Sequence, residues 1–263
     1  MSDRAHDRNP DPARRSVLAA AALATLAPLL PGVKLIELTR AQSSDTDADT
    51  AANDADAGAQ KADATTRWGM LIDAEKCARG CDACVRGCNE EHGLRVDNPQ
   101  TDAQWIRKLD LHDQHSGHDA SLPMLCQHCE HPPCVDVCPT GASFKRADGI
   151  VLVDKHTCIG CRYCVIACPY KARSFIHENL RDQKPHAPRG KGTVEGCTMC
   201  VHRVDRGGTP ACVEACARDG GGAMLFGDLN DSSSEIAAQL RSAPSRQVRA
   251  DLGLNTGVRY RNI

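Results

Sequence analysis

Sixteen cysteines, gathered in four groups of four, are the residues of this 263-residue chain best suited to chemistry. The groups are Cys77, Cys81, Cys84 and Cys88; Cys126, Cys129, Cys134 and Cys138; Cys158, Cys161, Cys164 and Cys168; and Cys197, Cys200, Cys212 and Cys216. No cysteine falls outside them. Thiolates in fours hold iron–sulfur clusters or zinc. The third group separates the two readings, because Cys158 to Pro169 has the spacing C-x2-C-x2-C-x3-C-P. Three thiolates at two-residue intervals wrap one face of a cubane, and the fourth, displaced along the next turn, reaches a different cluster. Four groups then imply four [4Fe–4S] clusters and a conduit for electrons.

The other groups vary the theme. The second, Cys126-x2-Cys129-x4-Cys134-x3-Cys138, lengthens one loop and keeps its proline at Pro139. The first puts three residues between Cys77 and Cys81 and has Asn89 where the proline would stand. The fourth widens its middle gap to eleven residues, from Cys200 to Cys212, and ends Cys216-Ala217. Each departure reshapes a loop and leaves all four thiolates available as iron ligands. Zinc on Cys197, Cys200, Cys212 and Cys216 is the alternative for that group alone. For the chain as a whole it would mean a zinc-bearing interaction module. Two-residue spacings rarely suit structural disulfides.

Residues around the cysteines could tune such clusters through hydrogen bonds and charge. Gly160 would admit close backbone approach, and Lys171 and Arg173 would favour the more negative, reduced cluster. Ordinary surface cations are the competing account of the last two. His128 and His131 flank Cys129 and are candidate donors to cluster sulfur. His112, His115 and His118 read instead as a solvated loop, since Ser116 and Gly117 break any helix that would align them. No C-x-x-C-H excludes a covalent c-type haem. With no GxGxxG, P-loop or nucleophile elbow, no catalytic residue is expected and the chain reads as a non-enzymatic subunit.

Only 3% of the residues are aromatic, so the clusters themselves should fill and cross-link the interior, tying folding to metal. A formal net charge of −2 argues against nucleic acid as a partner. Arg14-Arg15 precedes an apolar run from Val17 to Leu30, interrupted by Pro28. This fits a twin-arginine (Tat) signal over residues 1–41 and is shorter than the roughly 20 residues of a membrane span. That route exports folded proteins, so clusters could be loaded before export to the periplasm; retention as an uncleaved anchor is the alternative. Residues 42–66, rich in Ala, Asp, Ser and Thr, read as a disordered acidic linker.

The elements that must position the cysteines are short. Apolar runs bounded by Gly or Asp at 67–73, 149–154 and 223–228 read as strands. Residues 232–241 read as a packing helix with Ser232 and Glu235 at capping-box spacing. No later segment has the length of a membrane helix, so a soluble, peripheral mature protein is expected. The predicted fold is α+β and loop-rich, with two ferredoxin-like dicluster modules spanning 67–231. Residues 232–263 read as a C-terminal helix and tail.

The stretches Cys126 to Arg146, Asp148 to Val151 and Cys158 to Ala172, with Phe226-Gly227-Asp228-Leu229-Asn230-Asp231, resemble the four-cluster iron–sulfur subunits of bacterial respiratory oxidoreductases. Polysulfide and dimethyl sulfoxide reductases contain such subunits. Ser232 replaces a proline usual in that family. Within it, the Tat signal, the widened first group and the tail from Arg249 to Tyr260 are most similar to the periplasmic subunit of Dsr membrane complexes. The resemblance implies an outer cluster pair on 67–100 with 190–231, an inner pair on 120–180, and exchange of the last cysteine between paired groups. Cys126, Cys129 and Cys134 would take Cys168; Cys158, Cys161 and Cys164 would take Cys138. Likewise Cys77, Cys81 and Cys84 would take Cys216, and Cys197, Cys200 and Cys212 would take Cys88. The partners implied are an NrfD-type integral membrane, quinone-interacting subunit and a multihaem cytochrome c. A molybdopterin-dependent catalytic subunit is the alternative partner.

Overall fold

A computed structural model describes residues 62–181 and 183–263. The twin-arginine segment and the linker as far as residue 61 lie outside the described residues. The elements run β1 (Trp68–Asp73), α1 (Ala83–His92), β2 (Ile106–His112), β3 (Asp119–Leu125), α2 (Pro133–Asp136), β4 (Ser143–Lys145), β5 (Val151–Val153) and α3 (Tyr163–Ala167). They continue with β6 (Ser174–Phe175), β7 (Val194–Glu195), α4 (Val201–Val204), α5 (Ala211–Asp219), β8 (Met224–Asp228), α6 (Glu235–Ser242) and β9 (Val258–Arg261). The architecture is α+β and rich in loops.

β1 is the centre of a three-stranded sheet, which explains why Met70, Leu71 and Ile72 are all buried rather than alternating. It pairs antiparallel with β8, from Trp68 opposite Asp228 to Ile72 opposite Met224. On its other side it pairs parallel with β9, from Met70 opposite Val258 to Asp73 opposite Arg261. The start and end of the described chain thus close on each other. Gly69 permits this: a Cβ there would stand 2.6 Å from the Gly257 carbonyl oxygen. The remaining strands form two-stranded ladders, β2–β3, β4–β5 and β6–β7. His112, His115 and His118 lie at the exposed tip of the β2–β3 hairpin, as a solvated loop should.

The expected C-terminal helix is present, but its cap differs from the Ser232 reading. Asp231 first organises a turn, accepting from the Ser233 amide at 2.8 Å through Oδ1. The helix begins only after Ser234, whose Oγ accepts from the Ala237 amide at 3.2 Å. Ile236 and Ala237 are buried beneath it. No helix among the described residues is long and apolar enough to cross a membrane.

Candidate iron–sulfur centres

In every group the third cysteine opens a helix or its first turn and the fourth stands four residues on. At 3.6 residues per turn the two thiols share a helix face, one turn apart. One can therefore serve one site and the other a neighbouring site. α1 carries Cys84 and Cys88, α5 carries Cys212 and Cys216, α2 carries Cys134 with Cys138 just beyond it, and α3 carries Cys164 with Cys168 as its C-cap. The missing prolines now have a cause. α2 and α3 stop before Pro139 and Pro169, whereas α1 and α5 run on to His92 and Asp219. Proline inside those longer helices would remove a backbone hydrogen bond and clash with the preceding turn.

α1 and α5 pack closely enough that a Cβ on Gly87 would stand 2.6 Å from the Ala215 Cβ. That contact brings the first and fourth groups together. Burial, and after it the charges of Cys216, Cys77 and Cys81, push the Cys84 thiol up to about 12. Cys88 is raised well above the usual thiol range, first by burial and then by Cys197, Cys212 and Cys200. The other two groups interleave in the same way. Burial pushes Cys129 up to about 12, with Cys126, Cys134 and Cys168 adding to it. Cys164 is also raised by burial, against Arg173, with Cys134, Cys158 and Cys138 as the neighbouring thiols.

These neighbours bring thiols of the first and fourth groups together, and thiols of the second and third groups together. Cys134 is also a neighbouring charge for Cys164, and Cys126 for Cys197. Cys84 and Cys88 share α1.

All sixteen thiols are free, none in a disulfide. Cys126, Cys129, Cys134 and Cys168 line one small pocket, and Cys138, Cys158, Cys161 and Cys164 line another. A cubane holds buried sulfurs as thiolates despite their raised pKa. The donor set fits [4Fe–4S] clusters, which when bound supply one-electron redox chemistry.

Several residues are placed to tune the sulfurs. Arg173 is buried and donates to Cys134 Sγ at 3.2 Å. Lys171, its companion in the sequence reading, is exposed. Backbone amides donate to sulfur as well, Ser143 to Cys138 and Val194 to Cys158, at 3.3 and 3.4 Å. Gly160 adopts φ +70°, and a Cβ there would fall 2.0 Å from the Gly192 carbonyl oxygen. His128 is buried, its Nδ1 accepts from the Val151 amide at 3.0 Å, and its Nε2 has no hydrogen-bond partner. That nitrogen is the orphaned donor a cluster sulfide would satisfy. His131, by contrast, is exposed.

Sequence reading overlooked His92. It follows Cys84 and Cys88 at four-residue intervals along one buried face of α1, and its Nε2 lies 3.3 Å from Cys200 Sγ. The interval itself was the available signal.

Residues 120–229 match the 4Fe–4S dicluster domain family. The chain is 42% identical over 226 residues to the Hdr-like menaquinol oxidoreductase iron–sulfur subunit 1 of Archaeoglobus fulgidus, covering 75% of this chain and 84% of that one. It is 41% identical to a tetrathionate reductase subunit of Salmonella typhimurium, covering 66% and 63% of the two chains. With NrfC of Escherichia coli it shares 39% identity over 71% and 77%. The chain belongs to the 4Fe–4S electron-transfer subunits of oxidoreductase complexes, and its cofactors are four [4Fe–4S] clusters.

Proposed function

We propose that the sixteen cysteines ligate these clusters as two interlocked pairs, each pair forming one ferredoxin-like module. Cys126, Cys129, Cys134 and Cys168 hold one cluster of the first pair, and Cys138, Cys158, Cys161 and Cys164 the other. Cys77, Cys81, Cys84 and Cys216 hold one cluster of the second pair, and Cys88, Cys197, Cys200 and Cys212 the other. The observation that carries this reading is the mixing of thiols between groups: Cys84 has Cys216 beside it, Cys88 has Cys197, Cys212 and Cys200, Cys129 has Cys168, and Cys164 has Cys138. Sets ligated in this way would form a row from exposed Cys161 to half-buried Cys77 and Cys81, a wire with an entrance and an exit.

In this reading the chain is a Tat-exported periplasmic subunit of a Dsr-type complex in dissimilatory sulfur metabolism. It relays electrons between an NrfD-type membrane subunit that handles quinone and a multihaem cytochrome c, and performs no substrate chemistry. The similarity to a subunit named as part of a menaquinol oxidoreductase supports the quinone-linked side. A second reading, the iron–sulfur subunit of a molybdopterin-dependent reductase, draws on the similarity to the tetrathionate reductase subunit.

Purification of the native complex separates the two. The Dsr-type reading expects an integral membrane subunit and a multihaem cytochrome c to co-purify, with clusters reduced by a menaquinol analogue. A molybdopterin-containing partner with no cytochrome would overturn it in favour of the second reading.

A further inference from the structure

Three imidazoles from separate parts of the chain converge beside Cys200. His92 ends α1, His202 lies in α4, and His186 comes from the loop between β6 and β7. One ring nitrogen of each lies within 4.8 Å of the others. His186 stacks on His202 with centroids 4.1 Å apart and planes 22° apart. His92 meets His202 edge-on at 5.4 Å.

The hydrogen bonds around the three rings share one pattern. His202 Nε2 donates to Glu91 Oε1 at 2.7 Å. His186 Nε2 donates to the Glu91 carbonyl oxygen at 2.9 Å. His92 Nε2 faces Cys200 Sγ at 3.3 Å. With Nε2 as the N–H, each neutral ring carries its lone pair on Nδ1. On His92 that atom is buried and has no partner, although the side chain is 2% exposed. Buried ring nitrogens are ordinarily paired, so this lone pair needs an acceptor of its electrons. A ring that gives its N–H to a carboxylate, carbonyl or other acceptor and keeps its second nitrogen for the ion is the arrangement found behind metal-bound histidines.

We propose that His92, His186 and His202 bind a mononuclear divalent transition-metal ion, zinc by the chemistry of the donor set, with Glu91 orienting two of the rings. Three imidazoles are a common zinc donor set with room for a fourth ligand. His186 is exposed, which gives the ion a path from solvent. The site takes none of the sixteen cysteines as a ligand, although His92 touches Cys200 Sγ, and it does not depend on which oxidoreductase the chain serves.

The test uses the iron-replete holoprotein, stripped of loosely held metal by a mild chelator, then equilibrated with micromolar zinc and desalted. Metal analysis should return one zinc per chain alongside about 16 iron. Zinc-edge X-ray absorption should show a nitrogen and oxygen shell. His186→Ala and His202→Ala should keep the iron and weaken zinc binding by about 10- to 100-fold. The proposal is overturned if the iron-replete protein retains no zinc, or if His186→Ala binds it as the parent does. A sulfur shell would also overturn it, because the ion would then occupy a cysteine site short of iron.

Discussion

The Arg173 guanidinium donates to Cys134 Sγ at 3.2 Å, bridging residues 39 apart in the sequence. It also donates to Ser143 Oγ at 3.1 Å, which fixes its orientation. Burial opposes a charge here, yet the nearby Cys134, Cys126 and Cys164 outweigh it and raise the Arg173 pKa. The cation stands where two thiol sets meet, and it stabilises the extra negative charge each cluster gains on reduction.

Arg173→Leu should therefore lower the potential of at least one inner cluster by on the order of 100 mV. A charge-assisted hydrogen bond is worth about 1.5–3 kcal/mol, and a tenfold change in a one-electron equilibrium is about 59 mV. Redox titration followed by electron paramagnetic resonance reads this directly. Arg173→Lys, which keeps the charge, should recover part of the shift, whereas a purely structural role would leave potentials unchanged wherever iron is retained.

Gly87→Ala tests the α1–α5 contact through the sign of its effect. On helix propensity alone the change should stabilise by about 1 kcal/mol. The new Cβ would stand 2.6 Å from Ala215 Cβ and 3.1 Å from the Ala211 carbonyl oxygen, so the helices must separate. Overpacking of this kind costs about 1–3 kcal/mol. The variant should unfold at lower denaturant and release the iron of the Cys84 and Cys88 sets faster than that of the others.

Gly160→Ala should act at one end of the row only. Its φ of +70° and the 2.0 Å approach to the Gly192 oxygen leave no room for a side chain. The loop holding Cys158 and Cys161 would be displaced. Iron should fall from about 16 to about 12 per chain, one cubane fewer. Retention of all the iron would show that this loop is not a cluster cradle.

Two buried histidines set an acid limit on stability. Burial, reinforced by the Arg173 charge, pushes His128 down to about 3, and burial, then the His202 charge, does the same to His92. As pH falls below about 6.5 the unfolded chain takes up protons on these rings that the folded chain refuses, until pH approaches 3. Stability should thus decline through that window by up to about 1.4 kcal/mol per pH unit for each ring. Anaerobic denaturation at several pH values should show His128→Gln with a shallower acid slope than the parent.

Much of this was legible in the sequence because thiol spacing is set by cluster geometry, which does not depend on the rest of the fold. The groups, the strands at 68–73, 151–153 and 224–228, and the solvated histidine loop all follow from local pattern. Long-range placement did not. Arg173 looked no different from Lys171 two residues earlier, and only tertiary packing turns one inward and leaves the other exposed. The absence of prolines after Cys88 and Cys216 seemed a departure from pattern, and only the length of α1 and α5 explains it. His186, His92 and His202 are scattered in sequence, so no local signal could join them.

The central claim, that sixteen cysteines hold four cubanes, is tested most directly by Mössbauer spectroscopy of the ⁵⁷Fe-enriched protein with parallel metal analysis. The account predicts about 16 iron per chain, all in [4Fe–4S] environments, reducible in more than one step. A colourless protein with about four zinc ions and no iron signal would contradict it.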